Sequence, residues 1–338
     1  MKVAVVGATG YTGAELVRLL SMHPKVSGLF LFSRGDGEID FRQNFLGLDF
    51  AGKIKPLDEL AKEEFDFSFL ALPHGESGRY AGELVRRGVK VIDLSADFRL
   101  PLAVYEKWYG PHPAPELVEI AVYGLSEYFS EKIKTARLIA NPGCYPTAFL
   151  LAVLPLAEKD LLQGVIISDM KSGVTGAGRS AKREMLFGEV AENFRPYGVG
   201  GVHRHLPEME NILNNYAQGL RVIFTPHLIP MKRGILGTIY LDLKQNLSTE
   251  ELRKIYLNKF HDNPFIKILP EGYLPETRAV AGTNNVLIAL NKEPGGKVII
   301  TVAIDNLGKG AAGQAVQNMN LMAGLDETCG LKNTGIYF

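Results

Sequence analysis

The chain opens on Lys2-Val3-Ala4-Val5-Val6, an unbroken apolar run, followed at once by Gly7-Ala8-Thr9-Gly10-Tyr11-Thr12-Gly13. Helical spacing of apolar residues then begins at Ala14-Glu15-Leu16-Val17-Arg18-Leu19-Leu20. Buried strand, glycine turn and helix in that order are the start of a parallel α/β sheet. Glycines in such a turn let the backbone approach a pyrophosphate and let the helix pack on the strand, with the helix N-terminus facing negative charge. The spacing is G-x-x-G-x-x-G, a variant of the dinucleotide fingerprint G-x-G-x-x-G. Gly7, Thr9, Gly10, Tyr11, Thr12 and Gly13 are therefore candidate dinucleotide contacts. The competing reading is an ordinary tight βα loop, and placement directly behind the first strand favours the nucleotide.

The next strand, Gly28-Leu29-Phe30-Leu31-Phe32, ends in Ser33-Arg34 where an NAD site would carry an acid. An acid there would bind a ribose 2′-hydroxyl, whereas an arginine suits a 2′-phosphate, so NADP is the expected cofactor. Strands at 66–72 and 89–94 flank a helical pattern at 76–87. This βαβα rhythm predicts a Rossmann-type doubly wound parallel sheet. Pro73 and His74 fall at a strand's C-terminal end, where open α/β sheets bind ligands, and are expected on the cofactor side. From about Val165 the texture changes to strands at 164–169, 220–224, 237–243, 286–290 and 297–304, with few helices between them. That predicts an α+β second domain with a mixed or antiparallel sheet.

Lys plus Arg equals Asp plus Glu at 37 each, so no global field recruits nucleic acid or an anionic membrane. No apolar run reaches the length of a membrane span, and the N-terminus lacks the apolar core of a signal peptide. The expected setting is the cytoplasm, with neither membrane nor nucleic acid as partner.

Two cysteines in 338 residues make no disulfide framework. Cys144 stands in Asn141-Pro142-Gly143-Cys144-Tyr145-Pro146-Thr147, a tight turn before an apolar helical run. Backbone N–H groups and the positive dipole end at a helix N-terminus favour a thiolate and could hold an oxyanion. A free cysteine is also among the most buried residue types, and the turn alone leaves both readings open. His203-Arg204-His205, before Pro207-Glu208, offers an acid/base partner for a thiolate, or two ordinary structural histidines. No third ligand stands at metal spacing, so no metal is expected. Lys171-Ser172-Gly173-Val174-Thr175-Gly176-Ala177-Gly178-Arg179 and Asp93-Leu94-Ser95-Ala96-Asp97-Phe98-Arg99 both follow strands and suit an anion. Ser172, Gly173 and Asn306 are expected on the cofactor side, and Arg179 and His203 on the substrate side.

Taken together these motifs, with Tyr123-Gly124-Leu125 and Lys309-Gly310-Ala311-Ala312-Gly313-Gln314-Ala315, resemble the N-acetyl-γ-glutamyl-phosphate reductase family of arginine biosynthesis over nearly the whole chain. The resemblance implies Cys144 as nucleophile and His205 as acid/base, with Glu208 and Tyr197 in support. By similarity to the related aspartate-semialdehyde dehydrogenases, Arg99 and Asn141 would meet the substrate phosphate. It also implies an NADP-binding domain at 1–146, completed by a C-terminal return at 309–338, and a catalytic and dimerisation domain at 147–308. A homodimer or tetramer would be built on the second sheet. The implied reaction is NADPH-dependent reductive dephosphorylation of a small-molecule acyl phosphate through a Cys144 thioester. Three rivals stand beside it: an aspartate-semialdehyde dehydrogenase, a reductase of carrier-protein-linked aminoadipyl or glutamyl phosphate, and a non-catalytic NADP-binding regulator.

Overall fold

A computed structural model describes residues 1–35, 37–48, 50–332 and 335. The expected C-terminal return at 309–338 therefore has residues 333, 334 and 336–338 outside the described residues. The chain forms two compact units, one of Met1–Pro142 with the stretch that begins at Ala311, the other containing Gly143–Gly310.

In the first unit the sheet runs Ile39–Asp40, Lys53–Pro56, Gly28–Ser33, Lys2–Val6, Phe67–Leu70, Lys90–Asp93, Leu138–Ala140, Ala121–Tyr123. Every neighbouring pair is parallel except the short edge pair of Ile39–Asp40 with Lys53–Pro56. Lys2–Val6 lies between Gly28–Ser33 and Phe67–Leu70, so chain order reverses beside it and the crevice for a ligand opens where Val6 becomes Gly7. Phe67–Leu70 is buried along its whole length and Lys2–Val6 from Val3 onward, as strands covered on both faces must be. The helix Gly313–Met322 also belongs here; all ten of its residues are buried, four of them amides: Gln314, Gln317, Asn318 and Asn320. Gln314 donates to the Gly124 carbonyl and the Ser126 hydroxyl, and Asn318 donates to Gly124 and Asn141, so the burial leaves the side-chain N–H groups of both hydrogen-bonded.

In the second unit the sheet order is Arg195–Pro196, Arg221–Ile229, Leu162–Gly173, Ile235–Leu243, Val298–Ile304, Val286–Lys292, Ile266–Ile268. Leu162–Gly173 pairs parallel with Arg221–Ile229 and antiparallel with Ile235–Leu243, which makes the sheet mixed, as expected. Its strands Arg221–Ile229 and Ile235–Leu243 alternate buried residues with exposed or partly buried ones. The covered face receives the helix Cys144–Ala157, where every residue after Cys144 is buried. A helix apolar all round needs partners on all sides. It finds them in the strands Leu162–Gly173, Ile235–Leu243 and Val298–Ile304 and in the helices Leu206–Leu213 and Thr249–Phe260. The last of these starts at Ser248 through a reciprocal capping box with Glu251. Among the described residues no helix is long and apolar enough to cross a membrane.

Candidate active site

Cys144 is the first residue of its 14-residue helix, with Gly143 in extended conformation as the N-cap. Pro146 sits in the first turn, where an N–H would have no intrahelical partner, so it costs no bond there. The Thr147 N–H and hydroxyl both donate to the Gly143 carbonyl at 2.9 Å, which closes the turn. The Gly143 N–H donates to Glu208 Oε1 at 2.9 Å. That one of the N-terminal donors is committed to a carboxylate only 2% exposed. Glu208 comes from the first turn of the helix Leu206–Leu213, which His205 caps, and a carboxylate is favoured at that end of a helix dipole. Cys144 itself is half-buried. From its far side Gly310 presses in: a Cβ built on Gly310 would lie 2.8 Å from the Cys144 Cβ.

Around this turn the aromatic and imidazole rings gather on Tyr145. Its ring centroid lies 5.8 Å from His203, 5.9 Å from His205 and 5.2 Å from Phe224, all edge-on. His203 is 5.0 Å from His205 and 5.4 Å from Tyr197. The Tyr145 hydroxyl accepts from Tyr197 at 3.0 Å and donates to the His227 carbonyl at 3.3 Å. Burial, reinforced by the neighbouring Tyr197, pushes the Tyr145 phenol far above its ordinary value, so it stays protonated. Burial pushes His203 down to about 4, which makes it neutral near pH 7. Its Nδ1 accepts the His205 backbone N–H at 3.1 Å, so the one ring proton of neutral His203 sits on Nε2.

Ser172 and Gly173 end the strand Leu162–Gly173. The Gly173 N–H donates to the Gly234 carbonyl, and a Cβ on Gly173 would strike the Lys232 carbonyl oxygen at 2.8 Å. Asn306, 2% exposed, accepts from the Gly234 N–H at 2.7 Å and donates to the Thr175 hydroxyl at 2.9 Å. These three residues thus shape one backbone loop, while Arg179 lies on its exposed continuation.

In the first unit Gly7 has φ +95°, and a Cβ there would lie 2.3 Å from the Ala71 carbonyl oxygen. A Cβ on Gly13 would lie 2.2 Å from the Gly7 carbonyl oxygen. The helix Tyr11–Ser21 starts at Gly10 with no side-chain cap. A turn that tolerates no side chain and caps its helix with none fits a pyrophosphate. Ser33 is buried and Arg34 exposed, with Arg34 Nη1 3.3 Å from Glu76. Pro73 and His74 are exposed, and His74 meets the Tyr109 ring edge-on at 5.0 Å.

Arg99, 9% exposed, donates through Nε to the Asn141 carbonyl and through Nη2 to the Leu94 carbonyl, each at 2.7 Å. The guanidinium is therefore oriented before any ligand arrives. Asn141 is fully buried, with Nδ2 donating to the Ala311 carbonyl at 3.2 Å and Oδ1 accepting from Asn318 at 3.1 Å. Asp93 below them is pushed up to about 7 by burial and by the charge of Asp97.

The structure thus assembles Cys144, Tyr197, His203, His205 and Glu208 in one cluster of the second unit. It brings Arg99 against Asn141 in the first. Tyr145, Phe224 and Gly310 are the members the sequence reading missed. Tyr145 and Gly310 stood inside motifs quoted for other residues, and Phe224 at an inward position on an alternating strand.

Residues 2–136 match the family model described as semialdehyde dehydrogenase, NAD binding domain, and residues 144–306 the model described as semialdehyde dehydrogenase, dimerisation domain. The chain is 48% identical over 351 residues to an N-acetyl-gamma-glutamyl-phosphate reductase of Heliobacterium modesticaldum, covering 100% of this chain and 99% of the relative. A reductase of the same name from Desulforudis audaxviator is 50% identical over 349 residues, with the same coverage. Among solved structures, aspartate semialdehyde dehydrogenase II of Vibrio cholerae superposes with a TM-score of 0.74 at 19% identity, covering 95% of this chain and 98% of that one. The aspartate semialdehyde dehydrogenase of Candida albicans, solved with NADP, gives 0.66 at 14% identity, covering 95% and 98%. At these identities the structures speak for the fold.

Proposed function

Because the chain belongs to the N-acetyl-gamma-glutamyl-phosphate reductase family, we propose that it reduces N-acetyl-L-glutamyl 5-phosphate to N-acetyl-L-glutamate 5-semialdehyde with NADPH, in arginine biosynthesis. The observation that carries the reading is Cys144 at a helix N-terminus, in one cluster with Glu208 and the His203–His205 pair.

In this reading Cys144 Sγ attacks the acyl carbon. A C–S bond forms, the C–O bond to phosphate breaks, and a thioester remains on the enzyme. NADPH, when bound, supplies the hydride that reduces the thioester carbon. His205 protonates or stabilises the resulting oxyanion and takes the proton back as the thiohemiacetal collapses, releasing aldehyde and thiolate. Glu208 keeps the Cys144 turn in place through Gly143, and Tyr197 holds the hydroxyl of Tyr145, on whose ring both histidines pack. His203, neutral, presents an Nε2 donor to substrate, and Arg179 adds charge from its exposed loop.

Phosphate recognition is proposed for Arg99 and Asn141, the latter through its second Nδ2 hydrogen. The glycine turn from Gly7 to Gly13, with Thr9, Tyr11 and Thr12, is proposed to receive the pyrophosphate, and Ser33 and Arg34 the 2′-phosphate. Pro73, His74, Ser172, Gly173 and Asn306 complete the cofactor set. Residues 1–146 with the C-terminal return are read as the nucleotide-binding domain, and 147–308 as the catalytic and dimerisation domain. The open sheet face carrying Val165, Ile167 and Ile223 supports a homodimer or tetramer, with the cytoplasm as its setting.

The test is a reverse assay with semialdehyde, phosphate and NADP. Phosphate-dependent NADP reduction with N-acetylglutamate 5-semialdehyde is expected, and activity with aspartate semialdehyde instead would overturn the choice of substrate. Cys144→Ser should abolish turnover and leave NADPH binding intact. His205→Asn should cut turnover strongly while Cys144 remains open to alkylation; unchanged turnover removes His205 from its role.

A further inference from the structure

Asp97 is a fully buried carboxylate with every polar atom engaged. Its Oδ1 accepts the Gly75 N–H at 2.7 Å and the Tyr105 hydroxyl at 2.9 Å, and its Oδ2 accepts the Gly78 N–H at 3.0 Å. Its own N–H donates to the Ser95 hydroxyl, which in turn donates to Asp93. Its carbonyl accepts from His112 Nε2; the Nδ1 of that ring takes the Ala114 N–H, which places the ring proton on Nε2.

The partners matter more than their number. Gly75 and Gly78 belong to the segment that leaves the strand Phe67–Leu70 and begins the helix Ser77–Arg86, whose N-cap Glu76 supplies no side-chain bond. Asp97 caps that helix from another part of the chain, the loop that leaves the parallel neighbour Lys90–Asp93. Both loops emerge at the same edge of the sheet, the edge at which Gly7 turns. One carries Pro73 and His74. The other carries Arg99 two residues beyond Asp97, itself held on the Asn141 carbonyl.

We propose that Asp97 is a positioning residue for the reaction, a single carboxylate that sets the 73–78 loop against the Arg99 loop. The inference rests on the reading above, in which the first loop meets the dinucleotide and the second the substrate phosphate. Neutralising the carboxylate would leave both loops folded and shift them relative to each other, because three donors would then converge on one good acceptor and an amide.

Asp97→Asn keeps the size, removes the charge and turns one acceptor into a donor facing an N–H or the Tyr105 hydroxyl. Loss of a charge-assisted hydrogen bond of this kind is expected to weaken NADPH binding, read by isothermal titration, at least about tenfold. Amide hydrogen exchange at Gly75 and Gly78 should accelerate by a similar factor of about ten. In steady state KM for the acyl phosphate should rise more than kcat falls. The rate of Cys144 alkylation by iodoacetamide, in the other unit, should stay at the wild-type value. Tyr105→Phe, which removes one donor and leaves the charge, should weaken NADPH binding by a smaller factor, and it carries the test if Asp97→Asn does not fold. Wild-type NADPH affinity and wild-type exchange at Gly75 and Gly78 in the variants would overturn the proposal, as would a parallel loss of Cys144 alkylation. A wild-type protein that binds no NADPH at all would instead fail the functional reading, with the exchange measurement still testing the clamp.

Discussion

Glu208 accepts the backbone N–H of Gly143 at 2.9 Å across 65 residues of sequence, immediately before the candidate nucleophile. The bond makes a buried carboxylate the keeper of a turn. Glu208→Ala would leave that N–H unpaired where water does not reach it, a loss of about 1–3 kcal/mol. Glu208→Gln retains an acceptor and should lose less than about 1 kcal/mol. Denaturant melts of the two variants check the order, and turnover should fall further in the alanine variant.

His203 gives stability a pH dependence of defined sign. Its folded-state value of about 4 lies below the 6.5 of an exposed histidine, so between these values the unfolded chain binds the extra proton. The His203 contribution therefore rises with pH through that window and is lost as pH falls toward about 4. The stability difference between wild type and His203→Gln, measured by urea melts from pH 4 to 7, should grow with pH and level off above about 6.5. A flat difference would contradict the buried neutral ring.

Gly310→Ala sets a methyl 2.8 Å from the Cys144 Cβ, so one of the two backbones must shift. Such overpacking costs about 1–3 kcal/mol. Turnover should drop roughly a hundredfold, since a misplaced nucleophile forfeits its approach geometry. The stability loss should shrink when Cys144→Gly removes the opposing Cβ, a coupling that a double-mutant cycle reads directly.

Arg34→Ala should weaken NADPH binding roughly tenfold and leave NADH binding unchanged, because only the 2′-phosphate distinguishes the two. Its surface pair with Glu76, 3.3 Å apart and with Arg34 67% exposed, is too weak to confuse the comparison.

Much of this architecture was legible in residue order, for physical reasons that also mark where legibility stops. Lys2–Val6 and its glycine turn were readable because strand, turn and helix are contiguous and each has a local signature. Thr249–Phe260 carries a local start signal, because Ser248 and Glu251 cap its N-terminus. Ala121–Tyr123 and Leu138–Ala140 were not, since three residues carry no period. The ring cluster on Tyr145 escaped for a different reason: its members come from positions 145, 197, 203, 205 and 224, and only folding brings them together. Asp97 stood inside a loop suited to anions, and nothing in the order of residues announces that it caps a helix twenty residues earlier.

The adjacency of Gly310 and Cys144 also bears on ancestry. Gly143–Gly310 is a single uninterrupted segment, and its two ends lie side by side, a Cβ built on Gly310 falling 2.8 Å from the Cys144 Cβ. The flanking segments meet in the same way, through the Asn141 amide on the Ala311 carbonyl at 3.2 Å. The segment 143–310 is thus a closed loop of chain whose ends a short bridge could join, which is the geometry of an inserted module. On that view Cys144 stands at the junction itself, and the candidate nucleophile belongs to the same segment of chain as Tyr197, His203, His205 and Glu208.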